Sequence, residues 1–144
     1  MLGWIFSSLL MFALSYVWHG VVLNDYERIT YPIQIYLVSA GVVYFVIGFL
    51  MSRIFIAEFL DRYSEKAVPR GILAGSVLGV IVFMTALVFG VSFSSISDLK
   101  FMVIDFLWQV IEQTAGGLVI GLVYLLVFEF IPQPMEKEKD SQQS

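Results

Sequence analysis

Four apolar stretches, residues 4–23, 33–51, 72–93 and 114–131, constrain this chain more than anything else in it. Each is close to the ~20 residues that a helix needs to cross the ~30 Å hydrocarbon core of a bilayer. In lipid every backbone N–H and C=O must find its partner within the segment, which leaves helices or a closed barrel as the only spanning forms. Runs of this length read as helices. A chain of 144 residues that is 59% apolar and only 14% charged, with a mean hydropathy of +0.87, is accordingly expected to be an all-α, four-helix transmembrane bundle. The expected helices cover about 4–23, 33–63, 70–93 and 98–131 in a single domain, 1–132, with a disordered cytoplasmic tail over 133–144. The first stretch has no preceding basic residue, exceeds a signal-peptide core in length and lacks a small-x-small cleavage site. It is read as a mature helix.

Orientation follows from the basic residues, because Lys and Arg flanking spans tend to stay cytoplasmic. Arg53, Arg62, Lys66, Arg70, Lys137 and Lys139 fall on the side of the second connection and the tail, against Arg28 and Lys100 on the other. Six against two predicts cytoplasmic termini. The absence of cysteine excludes disulfides and thiolate chemistry, and a net charge of −4 gives no basic face, so nucleic acid is not an expected partner. The expected partner is the lipid bilayer, with a homo-oligomer or a larger membrane complex as further alternatives, and no cofactor is expected.

Local signals set the element ends. Pro32 suits a helix opening, where its missing N–H is harmless. Beyond Met51 the pattern of Ile54, Phe55, Phe59, Leu60 and Tyr63, interleaved with charges, predicts an amphipathic continuation of helix two to residue 63. Pro69 marks the start of helix three, and Ser94, Ser95, Ser97 and Asp98 offer N-caps for helix four.

Polar residues inside such helices need a reason. Asp105, Gln109, Glu112 and Gly116 are spaced by 4, 3 and 4, which at about 100° per residue aligns them on one face. A carboxylate facing mid-bilayer costs about 3 kcal/mol on insertion scales, so the stripe is expected to face protein or water. Helix four would be roughly 50 Å long at 1.5 Å per residue, which places Glu112 near the outer boundary and Asp105 about 10 Å beyond it. Three readings stay open for the stripe: a salt bridge to Arg28 or Lys100, a cation or proton site, or a solvated face of an overhanging helix. Beyond Gly116 the face turns apolar through Val119, Ile120 and Val123, which argues against an open channel.

Ser8, Ser15 and His19 form a second polar stripe on helix one. His19, the one histidine, could relay protons or ligate a divalent metal beside carboxylates, since imidazole titrates near neutrality. The favoured reading is an interfacial histidine, hydrogen-bonded beside Trp18 in an aromatic belt. The identity of any metal is left open. Gly71, Gly75 and Gly79 on helix three, and Gly117 and Gly121 on helix four, are spaced for close helix approach, within the bundle or between two copies. Tyr36, Tyr44, Phe45 and Phe49 are read as core or lipid-facing.

Through Trp18-His19-Gly20-Val21-Val22, Tyr26, Tyr44-Phe45, the glycine-spaced third helix and Lys100-x4-Asp105-x2-Trp108, the chain resembles the small uncharacterised four-span bacterial membrane proteins grouped as domains of unknown function. That resemblance covers residues 4 to 128 and implies four helices in a bacterial inner membrane, multi-pass, with no agreed activity. Similar proteins often carry an acid three residues before the first Trp and a Gly after the last, where this chain has Ser15 and Gln109. Taken together, these features suggest a non-enzymatic membrane protein with a polar pocket open to the extracytoplasmic side, handling a small solute or cation. His19, Asp105, Gln109, Glu112, Trp108, Trp18, Arg28 and Lys100 are its candidate residues. An accessory subunit of a larger assembly is the alternative, and an enzyme ranks third for want of a nucleophile or metal-ligand motif.

Overall fold

The computed structural model describes residues 2–28, 30, 32–93 and 99–128, with backbone only at 25, 28, 91–93 and 101. Every regular element among the described residues is helical, with no strand. Four helices run antiparallel in sequence order: α1, Gly3–Ser15, continued by a π-helical segment Tyr16–Val22; α2, Ile33–Phe55; α3, Ala67–Phe93; and α4, Leu99–Phe128. All four are long and apolar enough to cross a membrane, α1 counted with its continuation as Gly3–Val22. This is a multi-pass bundle. The N-cap cluster at 94–98, Glu129 and the tail lie outside the described residues, as does the Arg28 side chain.

Packing is uneven. α4 lies against α3 along most of its length and also against α1, while α2 leans chiefly on α1. Glycine decides the closest approach. A Cβ at Gly71 would lie 2.2 Å from the Gly117 carbonyl oxygen, and one at Gly75 would lie 2.3 Å from that of Gln113. Gly79 meets the Val110 backbone, and Gly121 that of Ala67 and Val68. Both glycine series therefore face each other inside the bundle, which is the intramolecular alternative, and the backbones approach where lipid gives no hydrophobic drive of its own.

The ends follow local chemistry in part. Pro32 caps α2, its carbonyl accepting from the Ile35 N–H at 3.0 Å. Asn24, at φ 54°, turns the chain after the π-helical segment, a left-handed conformation that Asn tolerates. α3 begins at Ala67, three residues before the position expected.

One boundary differs more. Helix two was expected to run to residue 63; it ends at Phe55, and Ala57 is extended at φ −74°, ψ 133°. The cause is tertiary. Arg70, from the first turns of α3, donates to the Phe55 carbonyl, to the Ala57 carbonyl at 2.9 Å and to Asp61, with its guanidinium 5.5 Å from the Phe55 ring. Those donors satisfy the carbonyls that a further helical turn would have used. Phe55 and Leu60 are buried on either side of this break. Arg70→Ala should consequently lower stability by about 2 kcal/mol in thermal unfolding in detergent, the loss of hydrogen bonds to a charged donor. Asp61→Asn should cost under about 1 kcal/mol, since the Asp61 side chain is 59% exposed and its ion pair is screened.

Candidate functional site

α1, α2 and α4 bring one carboxylate to a place no other acid among the described residues reaches. Glu112 on α4 is 1% exposed and its neighbour Gln113 is fully buried. The Tyr44 hydroxyl, from the middle of α2, lies beside the Glu112 carboxylate, and the Ser15 hydroxyl, at the end of α1, lies beside the Tyr44 oxygen. Gln113 Nε2 stands 3.5 Å from Glu112 Oε1, at the outer limit of a hydrogen bond. Trp108, one turn away on α4, also turns its indole toward the carboxylate, yet its Nε1 is buried without a bond of normal geometry. Gln113 Oε1 is likewise buried and unsatisfied.

The cluster sits along the middle of its helices. Tyr44 is 11 residues from each end of α2, about 16 Å at 1.5 Å per residue. Glu112 is 10 residues into the span-competent stretch Met102–Phe128, about 15 Å. By helix count the carboxylate stands away from the ends of both helices. The stripe that the spacing drew as one face divides: Glu112 and Gly116 are buried, Gln109 is half-buried and Asp105 is exposed.

Around the cluster the other predicted residues fall into place by helix geometry. Trp18, on the π-helical segment, stacks on Trp108 with ring centroids 4.3 Å apart and planes 11° from parallel, joining the continuation of α1 to α4. π-helical turns interrupt α-helices and recur at functional sites. Two indoles so close are electronically coupled. Trp18→Phe and Trp108→Phe should each remove the same couplet from the far-ultraviolet circular dichroism spectrum. Persistence of the couplet in either variant would place its origin elsewhere. His19 is half-buried on the same segment and is not among the Glu112 partners. Lys100 is exposed and 12 residues above Glu112 on the same helix, about 18 Å, too far to neutralise it.

Toward the other end the cluster closes. A Cβ at Gly116 would lie 2.5 Å from the Met11 sulfur and 2.9 Å from the Ser7 hydroxyl. Met11 and Met51 are both fully buried, with the Ser7 hydroxyl 3.9 Å from the Met51 sulfur. This layer seals the bundle below Glu112. Among the described residues no group of three His, Asp or Glu converges as a metal site.

Tyr44 and Gln113 are the side chains of this cluster that spacing alone missed. A tyrosine at the centre of an apolar span was the available signal, since its hydroxyl needs a partner when buried. Gln113 sits one residue off the stripe and gave none. No protein family, curated protein or solved structure matches this chain.

Proposed function

We propose that the protein takes up a proton or a small monovalent cation at Glu112, reached from the Trp18 end of the bundle, as a step in ion or small-solute handling. The observation that carries this reading is a carboxylate at 1% exposure whose partners among the described residues, Tyr44, Trp108 and Gln113, are all neutral. An isolated ionised carboxylate at such depth is costly, and the group is relieved either by binding a proton or by holding a cation. Intramembrane acids of this kind mark ion pathways and proton relays. The Ser15 and Tyr44 hydroxyls beside the Glu112 carboxylate provide a way to reorganise when the charge changes. By the distribution of Lys and Arg, the Trp18 end faces away from the cytoplasm. The Met11–Met51 layer supports a site accessible from one side in this conformation rather than a pore.

A salt-bridge role is the weaker reading, because Lys100 is too distant and no cation is among the Glu112 partners in the described residues. The glycine faces, the main sequence signal for a partner protein, are used between α3 and α4, which weakens the accessory-subunit reading. Reconstitution into liposomes tests the proposal. With a trapped pH dye and sodium or potassium gradients, the wild type should dissipate at least one gradient. Glu112→Gln should slow this at least tenfold, and Tyr44→Phe several-fold by removing the donor that orients the carboxylate. Undiminished flux in Glu112→Gln would remove the basis of the assignment.

A further inference from the structure

At the end of the bundle opposite the Trp18–Trp108 stack, a groove of about 240 Å³ separates the end of α2 from the end of α4. We propose that it is a binding site for an anionic phospholipid, with an acyl chain lying along its apolar walls and the phosphate held by Arg53.

The groove exists because the helices are unequally spaced there. α1 closes on α4 through Gly3, where a Cβ would come within 3.4 Å of Val123. α2, which leans chiefly on α1, stands off from α4. The gap that remains is walled by Trp4, Phe49, Ile56, Ile120, Val127 and Phe128. These are side chains that an acyl chain wets well and water does not. The surrounding helices are span-competent at this level, so lipid is the abundant apolar filler.

Arg53 supplies the polar end. It lies on the groove lining, exposed, in the last turn of α2, and makes no ion pair among the described residues. The contrast with Arg70 at the same end is direct, since the Arg70 guanidinium is committed to Asp61 and to the Phe55 and Ala57 carbonyls. Ser52, also on the lining, has its hydroxyl proton committed to the Phe49 carbonyl at 2.8 Å. Recognition of a headgroup therefore falls to Arg53, whose planar fork matches two phosphate oxygens. Basic residues between spanning helices select anionic headgroups in this way. The site is remote from Glu112 and does not depend on its role.

Native mass spectrometry of the purified full chain, offered equal amounts of phosphatidylglycerol and phosphatidylcholine with identical chains, tests this. The wild type should retain phosphatidylglycerol about fivefold over phosphatidylcholine, the selectivity that one interfacial cation provides. Arg53→Gln should fall to parity, Arg53→Lys should keep most of the preference, and Arg62→Gln, away from the groove lining, should match the wild type. Val127→Trp, which fills the groove, should lose both lipids. Inorganic phosphate should fail to displace phosphatidylglycerol, because it has no chain to bury. Equal retention of the two lipids by the wild type, full preference in Arg53→Gln, parity in Arg62→Gln, or displacement by phosphate alone would each overturn the proposal.

Discussion

Gly117→Ala is expected to destabilise the bundle by at least about 3 kcal/mol, above what one added methyl usually costs. Overpacking penalties of about 1–3 kcal/mol assume that neighbouring side chains can yield. Here the new Cβ would lie 2.1 Å from the Gly71 carbonyl oxygen and 3.0 Å from the Gly71 carbonyl carbon and Gly75 Cα, which are backbone atoms of a facing helix. Only separation of α3 from α4 relieves the clash, and that opens the most extensive contact in the fold. Gly75→Ala should act likewise, its Cβ 2.3 Å from the Gln113 carbonyl oxygen. It should also impair flux, because the residue displaced adjoins Glu112. Gly41 is the control. A Cβ there meets nothing within 4 Å, so Gly41→Ala should leave stability unchanged or raise it by up to about 1 kcal/mol through helix propensity. Thermal unfolding in a single detergent, with size-exclusion profiles, distinguishes these variants. If Gly117→Ala unfolds with the wild type, the glycine contact is not what holds α3 to α4.

The second large effect concerns charge at position 112. Glu112→Lys should cost several kcal/mol and reduce the yield of folded protein, because an ammonium with 1% exposure would meet a tyrosine hydroxyl, one indole and an amide, with no carboxylate among these neighbours to pair with. Removing the partner of a buried charge typically costs 3–5 kcal/mol, and central basic residues cost about 3 kcal/mol on insertion alone. Glu112→Gln, by contrast, keeps the shape, accepts from Tyr44 through its carbonyl oxygen and carries no charge. It should unfold within about 1 kcal/mol of the wild type or above it, while losing flux. Stability retained and activity lost in the same variant is the signature of a residue kept for its chemistry. A Glu112→Gln protein as unstable as Glu112→Lys would instead mark the carboxylate as structural.

Much of this architecture was legible without coordinates, and particular residues show why. The four helices followed from apolar length, since lipid forbids other spanning forms for such runs. Gly71, Gly75, Gly117 and Gly121 were recognisable as contact positions because only glycine permits backbone approach at that distance. Glu112 and Trp108 stood out as polar or amphipathic groups in an apolar helix. Tyr44 did not, since a tyrosine in a span reads equally as core, as lipid-facing or as a hydrogen-bond donor. The continuation of α2 to residue 63 was drawn from a periodicity that is present, in Phe55 and Leu60, but that serves two short elements meeting at Arg70.

The sequence by itself determined the number of spans, their approximate limits and the residues able to carry chemistry, because these depend on composition and on one-dimensional spacing against a bilayer of fixed thickness. Which of those residues meet was decided by tertiary structure alone. The rotation of α2 about its axis turns Tyr44 toward Glu112, and the approach of α1 buries Glu112 and Gly116 while leaving Asp105, on the same helical face, exposed. Helix spacing fixes a face but not the neighbour opposite it. That neighbour is set by how three helices pack at once, a property no single segment contains.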